Sequence, residues 1–200
     1  MRNDLRAVSQ WIAEGARVLD LGCGDGVLLA HLRNEKNTRG LGVEIDADNI
    51  TRCIAWGIDV IEQDIDNGLG NFADDSFDTV VLTQTLQAVQ KPDVVVREML
   101  RVGKECVITF PNFGYWQARF HLLFAGKMPV SRFMPYSWYD TPNIHFCTIR
   151  DFEQFCLEQN IRVLNRAFYK ESAASDEKRM RFASWMPNLL ATHAVYHVSY

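Results

Sequence analysis

The sequence predicts an α/β fold: a mostly parallel sheet covered by helices on both faces. Two observations predict it. Short apolar runs rich in Val, Ile and Leu alternate with segments whose apolar residues recur at helical spacing. The first of these runs also leads straight into a glycine-rich turn that opens a helix, as at the ligand-binding end of open α/β sheets.

The elements follow in order. Leu5, Val8, Trp11 and Ile12 mark a first helix, with Asn3 or Asp4 as its N-cap. Residues 17–21 form the first strand, and the helix after Gly26 places Leu28, Leu29 and Leu32 on one face. Residues 41–44 form the second strand, 47–56 a helix ending at Gly57, and 59–64 the third strand. Polar turns at Asp66-Asn67-Gly68 and Asp74-Asp75-Ser76 lead into the fourth strand, 77–82. Pro92 opens a helix whose buried stripe is Val95, Met99 and Val102, and the fifth strand, 105–110, is closed by Pro111-Asn112.

Thr148 and Asp151 resemble a capping box with Asp in place of Glu, starting a helix that carries Phe152, Phe155 and Cys156 and that Asn160 can end. Residues 161–169 and 193–200 supply two final strands, and the charged stretch from Lys170 to Arg181 between them reads as a mobile surface loop or a pocket gate. Five βα units and two terminal strands make one domain spanning 1–200, with an aromatic-rich insertion at about 113–147.

Composition excludes several classes. A 48% hydrophobic, 23% charged chain is globular rather than disordered. A formal charge of −4 argues against a nucleic-acid binder, which would carry a basic face. No apolar run reaches the roughly 18 residues of a membrane span, and the first residues lack a signal peptide's apolar core. The five cysteines form no C-x-x-C pair and suit reduced thiols in a cytoplasmic protein; no zinc or other metal set is expected, and His193 and His197 read as ordinary histidines.

Val18 to Gly26 (VLDLGCGDG) carries the chemistry. Gly22 and Gly24 match the first two glycines of the dinucleotide fingerprint G-x-G-x-x-G/A, but the third position falls on Val27, where close packing wants a small residue. Asp20 would penalise a pyrophosphate and would hold a cationic amino-acid tail. S-adenosylmethionine (SAM) carries an ammonium and a sulfonium, so the charge pattern favours it over NAD. The glycine loop alone leaves three readings open: SAM, another nucleotide, or a plain βα turn.

Strand-end acids narrow the choice. Glu44 ends the second strand, placed to accept hydrogen bonds from both ribose hydroxyls of an adenosine. Asp64 ends the third strand, where it or the amide of Ile65 can face the adenine edge. Gln84 and Thr85 follow the fourth strand on the sulfonium side. The candidate cofactor-binding set is Asp20, Gly22, Cys23, Gly24, Glu44, Ile45, Asp64, Ile65 and Gln84, for SAM or its demethylated product S-adenosylhomocysteine.

VLDLGCGDG (18–26), GVEID (42–46), the QD at 63–64 and SFDTVVLTQTLQ (76–87) resemble the class I SAM-dependent methyltransferases. That resemblance implies a Rossmann-like, seven-stranded sheet whose last strand runs antiparallel. LTQTLQAVQKPD (82–93), ITFPNFGYWQARFHLLFAGKMPVS (108–131) and YSWYDTPNIHFCTIRDFE (136–153) resemble the MetW family of methionine biosynthesis proteins. This narrower resemblance implies a protein acting beside a homoserine O-acyltransferase of the MetX type, and it names no methyl acceptor.

Two functions stay open at this level. One is a methyltransferase acting on a small molecule; Tyr115, Tyr139, Asp140 and His145 are then candidate proton acceptors, with no rule to choose among them. The other is a SAM-binding partner protein. Residues 113–142 hold nine aromatics in thirty and reverse the chain's charge, with Arg119, Lys127 and Arg132 against Asp140. That composition suits a lid or core, an interface, or a substrate-recognition segment.

Overall fold

A computed structural model describes residues 3–131, 134–170 and 185–200, with side chains from residue 5 onward. Its elements are α1 (Asn3–Trp11), β1 (Arg17–Leu21), α2 (Val27–Lys36), β2 (Arg39–Glu44), α3 (Ala47–Ala55), β3 (Asp59–Glu62), a 3-10 turn (Ile65–Asn67) and β4 (Phe77–Thr83). They continue with α4 (Pro92–Val102), β5 (Gly103–Pro111), α5 (Trp116–Ala125), α6 (Ile149–Glu158), β6 (Arg162–Tyr169), a short α7 (Pro187–Leu190) and β7 (His193–Ser199). From residue 171 to Arg181 the charged stretch lies outside the described residues.

The seven strands form one sheet in the order β3-β2-β1-β4-β5-β7-β6. β1 to β5 pair in parallel, and β7 runs antiparallel to both β5 and β6. Side-chain parity sorts the core. Val18, Val81, Val107 and Val195 point to one face with Val8, Ile12, Leu28 and Leu29 from α1 and α2. Leu19, Leu21, Val80, Leu82, Ile108 and Phe110 point to the other, against Val95, Met99, Phe152 and Cys156 from α4 and α6. Burial on both faces explains why these strands read as continuous apolar runs.

Several local signals act as anticipated. Thr148 and Asp151 form a reciprocal capping box at α6, Pro92 stands in the first turn of α4, and Asn160 adopts φ 56° just after α6. Other features differ. α1 begins at Asn3, so Asn3 and Asp4 lie within its first turn rather than ahead of it. β3 stops at Glu62, because the Asp64 carboxylate accepts the Asp66 amide at 2.9 Å and turns the chain. The aromatic segment contains α5, a helix without apolar periodicity because it is apolar almost all round.

Connections reverse direction between β1 and β4: the chain runs outward from β1 to β2 and β3, then returns to β4 and continues to β5. Such a switch point opens a crevice at the carboxyl ends of the strands. The glycine loop sits there.

Candidate functional site

Gly22, Gly24 and Gly26 all have positive φ, at 68°, 56° and 75°. At Gly22 the reason is also steric, since a β-carbon would stand 2.7 Å from Thr85 Oγ1 on the loop after β4. The loop is fastened to β2. Val43 O accepts the amides of Gly22 (2.8 Å) and Cys23 (3.1 Å), and Glu44 Oε2 accepts the amide of Gly24 at 2.8 Å.

Glu44 is only 8% exposed, and its other oxygen accepts the amides of Ile45 (2.8 Å) and Asp46 (3.0 Å). A carboxylate has about four acceptor sites, so three backbone donors leave it limited further capacity. It stands at the tip of β2, as the sequence predicts, and its bond to Gly24 holds the loop against that strand. Ile45, next to it, is exposed.

Asp20 is 1% exposed and pairs in register with Gly42 of β2 and Val81 of β4, at the centre of the crevice floor. Cys23 and Cys53 are buried behind the loop with their sulfurs 3.8 Å apart, and Cys53 Sγ lies 3.2 Å from Gly24 O. Burial, then the negative charge of Asp20, pushes the Cys23 thiol far above its ordinary range, with Glu44 adding to the effect. Burial likewise raises the thiol of Cys53, with Glu44, Asp25 and Asp20 contributing. These cysteines are packing groups, raised chiefly by burial, and the acids near them are Asp20, Asp25 and Glu44. At the start of α2 the Asp25 carboxylate faces the Val27 amide at 3.4 Å, where a phosphate would otherwise sit. The loop suits a cation better than a pyrophosphate.

On the opposite wall Gln84 adopts φ 57°, an uncommon conformation for a residue with a side chain. Its amide is held by the backbone O (3.0 Å) and Oγ1 (3.0 Å) of Thr109, and its Nε2 lies 3.3 Å from the same hydroxyl. Backbone strain of this kind concentrates at functional sites. Asp64 and Ile65 lie beyond β3, with Asp64 capping the 3-10 turn. Thus Asp20, Gly22, Cys23, Gly24 and Glu44 form one connected unit, Ile45 borders it, Gln84 stands across the crevice, and Asp64 and Ile65 form a separate turn.

The four candidate proton acceptors do not form a cluster. Tyr115 is buried at the start of α5, while Tyr139 and Asp140 are exposed. His145 lines an apolar cavity of about 200 Å³ with Leu86, Gln87, Pro92, Val96 and Phe152. Among the described residues no group of three or more His, Cys, Asp or Glu side chains is arranged to hold a metal. His197 is instead buried in the sheet, 2.8 Å from the Glu105 carboxylate and stacked on Trp11.

Sequence reasoning missed two polar anchors. The Gln87 side-chain amide donates to Gln84 O at 2.7 Å, and the Gln87 backbone carbonyl accepts the amides of Ile144 (2.9 Å) and His145 (3.0 Å), tying the aromatic segment to the loop after β4. Asn112, fully buried, donates to Ala191 O (2.8 Å) and accepts from Gly114 (3.0 Å) and Ile149 (3.3 Å). An Asn directly after a strand-ending Pro was the available signal for the second; nothing in the sequence marked the first.

The family model described as methionine biosynthesis protein MetW matches residues 2–198. A bifunctional methionine biosynthesis protein MetXA/MetW of Rhodopirellula baltica is 39% identical over 175 residues, covering 83% of this chain and 28% of that protein. The chain therefore spans less than a third of that relative's length. A SAM-dependent methyltransferase from Archaeoglobus fulgidus shares the fold at TM-score 0.70 and 16% identity, covering 98% of this chain and 91% of that one. The [4+2]-cyclase SpnF shares it at TM-score 0.67 and 17% identity, covering 98% and 79%. One fold thus carries proteins named for different reactions. With its Rossmann-like sheet, its glycine loop at the switch point and a family match over nearly its whole length, this chain belongs to the MetW family of methionine biosynthesis proteins.

Proposed function

We propose that this protein binds SAM at the β1–β2–β4 crevice and associates with a homoserine O-acyltransferase of the MetX type, supporting or regulating it in the cytoplasm. The observation that carries the ligand reading is the buried Glu44 carboxylate closing the glycine loop beside buried Asp20. In this reading Asp20 attracts the ammonium, Glu44 takes the ribose hydroxyls, and Ile45, Asp64 and Ile65 border the adenine. The backbone at Gly22, Cys23 and Gly24 lines the tail, and Gln84 lies on the sulfonium side. When bound, SAM supplies a methyl group already activated on sulfur.

The partner reading is supported by the joined MetXA/MetW relative. The reading of a reducing compartment is supported by the five free cysteines. Product supply would be sensed if SAM bound the free and partnered states unequally, a coupling that is reciprocal by linkage.

The experiment combines the purified chain with a purified MetX-type homoserine O-acyltransferase. SAM affinity is measured by calorimetry, and acyl transfer is assayed with and without the chain and with and without SAM. Saturable SAM binding and a changed acyl-transfer rate are expected. Absent SAM binding sinks the ligand reading; absent complex formation with an unchanged rate sinks the partner reading.

A second reading, methyl transfer to a small apolar acceptor, is favoured by the cavity next to Leu86 and Gln87, where His145 provides an imidazole. Labelled SAM incubated with a metabolite pool should then yield a labelled product that His145→Ala abolishes. A pool left unlabelled counts against it.

A further inference from the structure

We propose that the solvent-facing stripe of α5 is the surface on which the acyltransferase partner docks, an inference that rests on the partner reading above. At about 100° per residue, Trp116, Phe120, Leu123 and Phe124 occupy one arc of the helix, while Tyr115, Ala118 and Leu122 occupy another. The second arc faces the body of the protein, with Tyr115 and Ala118 buried. The first faces solvent, with Phe120 50%, Leu123 73% and Phe124 76% exposed.

The stripe is ordered in advance. Trp116 meets Phe120 edge-on at 6.0 Å, and Phe120 stacks on Phe124 at 5.6 Å. Below it, the Asn112 hydrogen bonds fasten the strand end that leads into α5, and Arg119 Nε donates to Gly114 O. Among the described residues neither apolar core includes a residue of α5. Phe120 and Phe124 therefore lie outside both cores and stay largely open to solvent. A contiguous exposed aromatic patch on a fastened helix is what interface hot spots are made of.

Charge narrows the occupant. No acidic residue occurs between Glu105 and Asp140, whereas Arg119, Lys127 and Arg132 do, in a chain of net charge −4. The fitting surface is an apolar groove with an acidic rim. A second copy fits poorly, because a two-fold contact would gather the same cations from both chains with no acid to offset them. The R. baltica relative, in which the matched portion is a minor part of a protein named for both MetXA and MetW, provides a partner kept at high local concentration.

The test compares the full chain with Phe120→Ser/Leu123→Glu/Phe124→Ser and with the control Leu157→Ser, an exposed leucine on α6. Affinity for the purified acyltransferase is measured by biolayer interferometry, with SAM affinity and thermal midpoint as checks of folding. The triple variant is expected to bind the acyltransferase at least about 100-fold more weakly, with SAM affinity retained, and the control to bind as the unaltered chain does. If the triple variant loses SAM binding too, the milder Phe124→Ser replaces it and must still weaken the complex.

Equal acyltransferase binding by all three proteins overturns the α5 assignment while leaving the partner reading intact. No binding by the unaltered chain overturns both. Sedimentation showing a dimer that the triple variant abolishes, with acyltransferase binding unchanged, assigns the stripe to a second copy and overturns the proposal. Stripe-dependent binding to phosphatidylserine vesicles, again with acyltransferase binding unchanged, overturns it in favour of a membrane surface.

Discussion

The Glu44 carboxylate accepts the Gly24 amide at 2.8 Å, joining the tip of β2 to the glycine loop across twenty residues of sequence. Its second oxygen takes the amides of Ile45 and Asp46. One acid thus shapes the loop, and in the proposed reading the same group would also take the ribose, so loop order and ligand affinity would change together.

Glu44→Ala removes both contributions. SAM affinity is expected to fall by about 1–3 kcal/mol, the range for hydrogen bonds to a charged group or for stranded buried donors, with a lower thermal midpoint. Calorimetry and a melting curve check it. A lowered midpoint with unchanged affinity would assign Glu44 to the loop alone.

Asn112→Ala strands the amides of Gly114 and Ile149 and the carbonyl of Ala191 in a fully buried site. A loss of about 2–3 kcal/mol in urea unfolding is expected. Asn112→Asp should not rescue it, because a carboxylate would face the Ala191 and Asn188 carbonyls with no donor. Recovery in the Asp variant would show that the amide donor is unimportant.

Asp78 lies at the opposite end of the sheet from the candidate site. It accepts the Arg17 amide at 3.0 Å, the Lys104 ammonium at 2.9 Å and the Arg17 guanidinium at 3.4 Å. The Arg17 amide first, then the two cations, hold its carboxyl well below the usual carboxylate range. A depressed native value means that the stabilisation is complete above the unfolded value of about 4 and is lost as pH falls toward the native one. Between about pH 4 and pH 2, stability should therefore fall with acidification more steeply in the unaltered chain than in Asp78→Asn, by up to about one proton in slope. Urea midpoints across that range measure it, and parallel curves would remove Asp78 from the acid response.

Local signals in the sequence were legible where one residue type has one physical use. The Thr148–Asp151 capping box, Pro92 at the start of α4 and Asn160 after α6 formed as read, since each is settled within a few residues. Glu44 was legible as a strand-end acid, but its Gly24 partner was not, because Gly24 reaches it only once β1 and β2 pair. Asp64 illustrates the reverse. It was read as a strand end, yet its carboxylate bonds its own backbone two residues on and ends the strand early.

By itself, the sequence determined the alternating αβ pattern, the glycine-rich turn after the first strand, the acid near each of the first three strand ends and membership of the MetW family. These follow from periodicity and from side chains with narrow conformational or chemical uses. Only the tertiary structure decided that Gln84 takes a left-handed conformation under Thr109, that Gln87 ties the aromatic segment to the loop after β4, and that α5 turns Phe120, Leu123 and Phe124 outward. The reason is that hydrophobicity drives burial without direction. A helix apolar almost all round does not say which arc turns inward; in the fold Tyr115 and Ala118 turn in, and Asn112 and Arg119 fasten the chain where the helix begins.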